Sequence, residues 1–253
     1  MELENLLFVL VHDGWHGAWA WDDLIERLAQ RGSAAVALDL PGHGKLYRAD
    51  EGAGDYSLAK YASAVEQFVR HYQRPGQKIV LVGHGIAGPV LQLAAQNLTT
   101  ELTGLIFLGG YVLRNGESII SQMPPEMAAV FEQLAESRSD KRIALDELVD
   151  YWRFNVINDD VRRADEILTQ LKPEPAAPLY EPIVLKPGQS ALPSAYVSFN
   201  EDMSLPPGEF HPRMASKLGK HRHITVNAGH EGPLTKPREV AEALIFLGLH
   251  GLG

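Results

Sequence analysis

The chain has 253 residues, 45% of them apolar and 22% charged, which is the make-up of a globular protein able to bury a core of its own. Its formal net charge of −9 argues against nucleic acid or an anionic membrane as a partner, because both need clustered Lys and Arg. It has no cysteine, so disulfides and thiolate metal sites are excluded.

The N-terminus, MELENLLFVLVHDG, carries acidic residues before the run LLFVLV, which is too short for a signal core or a membrane span. A first strand over Leu6–Val11 and a cytoplasmic location are the expectations. Trp19–Gln30 follows as a helix, with Trp21, Leu24, Ile25 and Leu28 at helical spacing. Ser33–Asp39 is the next strand and ends in the loop LPGHGK. Leu58–Arg70 reads as a helix, Ile79–Gly83 as a strand, Ile86–Asn97 as a helix and Leu105–Leu108 as a strand. Between 113 and 192 the rhythm breaks into helical, proline-punctuated stretches, which read as an inserted helical lid. The sheet resumes at Ala195–Phe199 and Ile224–Val226, and Pro237–Leu249 closes the chain as a helix. Strands alternating with helices imply an α/β fold with a mainly parallel, doubly wound sheet. Its core would comprise residues 1–112 and 193–253.

LVGHGIAG, at 81–88, supports two readings. Gly83, Gly85 and Gly88 spell the G-x-G-x-x-G of a dinucleotide turn. That turn belongs after a first strand, with an acid at the end of the second. Here two strands precede it, and the next strand ends in Leu108-Gly109-Gly110, so no nicotinamide or other cofactor is expected. The other reading is a G-x-S-x-G nucleophile elbow with Gly85 at the serine position. VHDGWHGAWAW (11–21), FNEDMSLPP (199–207) and NAGHEGPLTKP (227–237) favour it, since each follows a strand and the order is nucleophile position, acid, histidine.

These motifs make the chain resemble the α/β-hydrolase superfamily, in the branch of hydroxynitrile lyases and methylesterases. The matches are HxxxHGAWxW at 12–21, DLPGHG at 39–44, GHxxAG at 83–88, GESI at 116–119, LKPEPAAPLYEP at 171–182 and GHxxPLTKP at 229–237. The resemblance implies the α/β-hydrolase fold with an inserted lid. It also implies His230 as general base, Asp202 as the acid that orients it, and the backbone N–H groups of Gly14 and Ile86 as oxyanion donors. Spacing to Pro206-Pro207 favours Asp202 over the neighbouring Glu201.

Three positions depart from the branch. Gly85 has no oxygen with which to form an acyl-enzyme, and it would leave room for substrate or water. Asp13 stands where the esterases have glycine, and reads as a proton donor or as a base with a raised pKa. Glu231 stands where hydroxynitrile lyases carry lysine, and reads as an exposed loop acid that speaks against cyanohydrin chemistry. An inactivating Ser→Gly change explains Gly85 but leaves Asp13 unexplained, so a naturally rebuilt site is preferred.

Trp15, Tyr111 and Trp152 are candidate substrate-binding residues, with Tyr151 and Phe154 also on the lid's underside. Trp19 and Trp21 are expected to anchor the first helix, His84 to pack under the sheet, and His221 and His223 to lie at the surface. His12 and His16 lie on a glycine-containing loop, and no metal site is expected there.

The function expected is cofactor-free acid–base chemistry of lyase, decarboxylase, cyclase or isomerase type on a small to medium hydrophobic carbonyl compound. A serine carboxylesterase or lactonase carrying Ser→Gly, and a ligand-binding pseudoenzyme, are the alternatives. A homodimer is left open.

Overall fold

In the computed structural model, which describes residues 5–52, 54–187 and 192–252, β1 (Leu6–Val11) is buried along its whole length. Leu7, Val9 and Val11 face one core, and Leu6, Phe8 and Leu10 face another. Successive strand residues point to opposite faces, so a continuous apolar run fits a strand covered on both sides.

The chain continues through α1 (Asp22–Gln30), β2 (Ala34–Leu38), α2 (Leu58–Tyr72), β3 (Lys78–His84), α3 (Ala87–Ala95) and β4 (Leu102–Leu108). Next come α4 (Pro125–Glu136), β5 (Arg142–Ile143), α5 (Val149–Tyr151) with a π-helical turn at Trp152–Val156, α6 (Ala164–Leu168), β6 (Glu174–Pro175) and α7 (Ala177–Tyr180). The last elements are β7 (Ser194–Phe199), α8 (Phe210–Ala215), β8 (Arg222–Val226), α9 (Gly232–Thr235) and α10 (Pro237–His250). Six strands form one parallel sheet in the order β2-β1-β3-β4-β7-β8. Leu24 and Leu28 of α1 and Val240, Leu244 and Leu247 of α10 cover one face. Tyr61, Val65 and Val69 of α2 and Val90, Leu91 and Ala94 of α3 cover the other. Each such side chain taken from water contributes about 1.5–3 kcal/mol before entropy is counted. The Ser57 side chain caps α2 by accepting from Lys60 N at 3.1 Å.

The expected alternation of strands and helices is present. The first helix is split, with a 3₁₀ turn over Ala18–Trp21 before α1, and β4 begins at Leu102 rather than Leu105. The segment expected as a lid, 113–192, holds α4 to α7 and also a small antiparallel ladder pairing Arg142 with Pro175 and Ile143 with Glu174. Its residues 188–191 lie outside the described ones. Among the described residues no helix is long and apolar enough to cross a membrane.

The strand order decides where a site can form. β1 lies between β2 and β3, so the chain reverses its direction of winding there. In open α/β sheets ligands bind beyond the carboxyl ends of the strands at such a point. Val11 of β1 pairs with Gly83 of β3. Asp13 and Gly85 therefore follow their strands at matching positions, side by side.

Candidate active site

Gly85 makes the turn from β3 into α3 with φ +52°, a conformation that glycine adopts without penalty. The space beside it is filled by Asp13. An ideal Cβ built on Gly85 would stand 2.0 Å from Asp13 Oδ1 and 2.1 Å from its Cγ. The room expected there for substrate or water is thus occupied by a carboxylate. Asp13 Oδ1 accepts the Ile86 N–H at 2.7 Å, and Asp13 Oδ2 accepts His230 Nε2–H at 2.9 Å. One of the two expected oxyanion donors, Ile86, is consequently spent on Asp13. The other residue, Gly14, borders the cavity, and its N–H has no acceptor among the described residues.

His230 also donates from Nδ1 to Asp202 Oδ2 at 2.8 Å. Both ring nitrogens therefore face carboxylates, which suits an imidazolium. Burial alone would lower the His230 pKa, but the Asp202 charge and the hydrogen bonds to Asp13 and Asp202 hold it well above its usual value. Burial would raise the Asp13 pKa, and the His230 hydrogen bond reverses that, holding the carboxyl below the ordinary carboxylate range. The expectation of a raised pKa at Asp13 differs from what this environment favours, because the hydrogen bond from His230 draws the Asp13 pKa down rather than up.

Asp202 is 1% exposed and fixed from the other side. Its Oδ1 accepts the backbone N–H groups of Ser204 and Leu205 at 2.9 and 2.7 Å, and His211 Nε2 stands 3.4 Å from its Oδ2. Burial works against the Asp202 charge, but His230 and these donors bring its pKa below the usual range. Tyr196 and His211 back this acid through a 3.0 Å hydrogen bond, and no motif pointed to either. Glu201 is exposed and bonds Asn227 instead. His84 donates from Nε2 to the His230 carbonyl at 2.9 Å, and burial lowers its pKa to about 3, so the ring is neutral. Asp13, His84 and His230 bring one donor atom each within 4.8 Å of one another. A metal ion there would have to displace the His230–Asp13 hydrogen bond.

The loop after β1 is held by buried hydrogen bonds. His12 donates from Nδ1 to Asp13 O at 2.7 Å and accepts Leu40 N–H on Nε2 at 3.1 Å. Burial lowers its pKa well below the usual value, in keeping with that neutral tautomer. Trp15 adopts φ +63°, unusual for so large a residue. Its N–H donates to Glu174 Oε2 at 2.8 Å, and its ring N–H donates to Ile143 O at 2.7 Å. Glu174 Oε2 also lies 2.6 Å from His43 Nε2, with both side chains fully buried. Glu174 belongs to the LKPEPAAPLYEP motif, whose structural role the sequence left unread.

The cavity above Asp13 and His230 is lined by Trp15, Tyr111 and Trp152, the three candidate substrate-binding residues, together with Met127, Phe131 and Phe210. Tyr151 also borders it, but Phe154 is 56% exposed and points away. Trp21 is buried in the core beside α1, whereas Trp19 is partly buried and stacks on His16. His223 is exposed and His221 partly so. Glu231 is not an exposed acid: it is 1% exposed and borders the cavity, because its N–H and C=O are tied to Val156 and to the first turn of α9.

The model of the Alpha/beta hydrolase family matches residues 8–243. The chain is 24% identical over 246 residues to the carbendazim hydrolyzing esterase of Nocardioides sp. (strain SG-4G), covering 95% of this chain and 99% of that protein. It is 32% identical over 119 residues to putative methylesterase 11, chloroplastic, of Arabidopsis thaliana, which covers 47% of this chain and only 30% of that protein. An extracellular alpha/beta-hydrolase from a Paenibacillus species is described as sharing structural and functional homology with tobacco salicylic acid binding protein 2. It superposes with a TM-score of 0.86 at 27% identity, over 95% of this chain and 98% of that one.

Proposed function

The chain belongs to the alpha/beta hydrolase family, and from that premise we propose that it is an enzyme for acid–base chemistry on a small to medium hydrophobic carbonyl compound, of lyase, decarboxylase, cyclase or isomerase type. The observation that carries this reading is the place of Asp13. Its carboxylate fills the space next to Gly85 and is bonded at once to Ile86 N–H and His230 Nε2. His230 is bonded to two carboxylates, and Gly85 offers no hydroxyl at the nucleophile position, so proton transfer is the chemistry this reading rests on.

Asp13, His230 and Asp202 titrate as a group. A substrate carbonyl oxygen seated on the Gly14 N–H brings an acidic C–H or hydroxyl next to Asp13. The coupled Asp13–His230 pair takes that proton as one unit, its remaining positive charge balances the charge that builds on the substrate, and the proton returns to a different atom. Asp202 holds the ring in place throughout. The reading requires no cofactor.

Ester hydrolysis is the second reading, and the relatives favour it, two of them being named as esterases. In this chain it would use water directed by Asp13 and His230, without an acyl-enzyme at residue 85.

The test is a panel of aryl and alkyl β-keto acids and 1,3-diketones, followed by NMR in deuterium oxide for decarboxylation, C–C cleavage or deuterium entry. Turnover by the native chain should fall by about 10²–10⁴ in Asp13→Asn and in His230→Ala. An inert panel, with p-nitrophenyl butyrate hydrolysed at a rate unmoved by Asp13→Asn, would overturn the first reading.

A further inference from the structure

Among the described residues, two buried polar atoms on side chains that border the cavity remain without a hydrogen bond. Glu231 Oε1 makes no hydrogen bond within the protein, and neither does His16 Nε2, though the side chains are 1% and 2% exposed. The two atoms are 3.4 Å apart, inside ion-pair range but outside hydrogen-bond geometry. Both residues border the same cavity as Asp13 and His230. A buried polar group left unpaired is costly, so such a group calls for an explanation.

Local bonding sets what each can offer. His16 Nδ1 donates to Gly14 O at 2.6 Å, and its ring stacks on Trp19 with centroids 5.4 Å apart. The ring cannot turn without losing both contacts, so Nε2 stays facing Glu231. Burial pushes the Glu231 pKa up, and the Asp13 and Asp159 charges add to this against the pull of His16 and His230. The side chain is thus suited to carry a proton and to donate it in a hydrogen bond, as neutral buried carboxylic acids do.

We propose that Glu231 and His16 form a second oxygen-binding subsite, which takes a carbonyl or hydroxyl oxygen of the substrate. The substrate class is then a compound with two oxygen functions, one beside Asp13 and His230 and the other on Glu231. This rests on the acid–base reading of the same cavity and narrows it to dioxygenated compounds of the β-dicarbonyl or β-hydroxycarbonyl kind. In this arrangement the cavity's aromatic and methionine walls hold the carbon skeleton, and the two oxygens set its direction.

The experiment is equilibrium binding of two probes with matched skeletons, benzoylacetone (two oxygens) and butyrophenone (one). The native chain should bind benzoylacetone at least about tenfold more tightly, the worth of one good hydrogen bond. Glu231→Leu should reduce that ratio to near one, and Glu231→Gln, which keeps shape and a donor, should retain most of it. Should the leucine variant fail to fold, His16→Phe must lower the ratio in its place. A native ratio near one, or a ratio unchanged in both Glu231→Leu and His16→Phe, overturns the inference. The binding readout needs no turnover, so it is independent of the Asp13→Asn rate test, and failure of either leaves the other readable.

Discussion

Asp13 and Gly85 are complementary: the carboxylate of one lies where any side chain on the other would begin, with 2.0 Å between Asp13 Oδ1 and an ideal residue-85 Cβ. Restoring a hydroxyl by Gly85→Ser alone should therefore not produce an esterase. It should instead destabilise the fold by about 1–3 kcal/mol, the usual cost of overpacking. Gly85→Ser combined with Asp13→Gly clears the space and frees Ile86 N–H for an oxyanion. This double variant should hydrolyse p-nitrophenyl butyrate at least about a hundredfold faster than either single variant, as expected when an oxyanion donor becomes available. A large gain in Gly85→Ser alone would show that Asp13 is not held beside residue 85.

The ionisation of His230 should be visible in its pH behaviour. Its folded pKa is raised, so its share of stability is fully present below its unfolded value of about 6.5 and is lost as pH climbs through the folded pKa. Asp13 and Asp202 have lowered folded pKa values, so their shares are present above about 4 and are lost only as pH falls through those values. His12 and His84 act in the opposite sense to His230, costing stability as pH falls below about 6.5. Asp13→Asn removes one of the two charges on His230. The alkaline decline of the melting temperature should then begin at lower pH, and the His230 ring protons should titrate earlier by NMR. An unchanged His230 titration would refute the paired-carboxylate account.

Glu174 ties the loop after β1 to the segment around β6. It is the acceptor for Trp15 N–H, at a residue with φ +63°, and the partner of buried His43. Glu174→Ala removes the hydrogen-bond partner of both, and should cost about 1–3 kcal/mol for each buried group left unpaired. Denaturant unfolding of the native and variant chains measures this directly. A loss below about 1 kcal/mol would mean that the loop holds its conformation without Glu174.

Much of this architecture was readable in the chain because strands with two buried faces leave unbroken apolar runs, as LLFVLV does. Asp202 as the partner of His230 came from the family resemblance and the spacing to Pro206-Pro207, and the two side chains lie 2.8 Å apart. The Asp13–His230 contact was not readable, since it joins residues 217 apart and depends on the register of β1 against β3. Glu231 misled for a related reason: a charged residue in a loop reads as solvated, but here its backbone is tied to Val156 and to α9 and its side chain is 1% exposed. Phe154 erred the other way. It lies two residues after Trp152 on a helical turn, so the two rings point to roughly opposite sides, one inward and one to solvent.

Adjacent acids at 201 and 202 give a sharp contrast in which only one can orient the base. Asp202 is buried, bonded to His230 Nδ1 and fixed by two backbone N–H groups, while Glu201 lies at the surface on Asn227. The Asp13→Gly, Gly85→Ser background supplies a defined readout in p-nitrophenyl butyrate hydrolysis. There Asp202→Asn should lower kcat by about 10³–10⁴, because the amide presents the wrong partner to Nδ1–H and no longer supports the imidazolium. Glu201→Gln should leave both kcat and stability within about 0.5 kcal/mol of the parent, as surface changes do. Equal losses in the two variants would remove Asp202 from its orienting role.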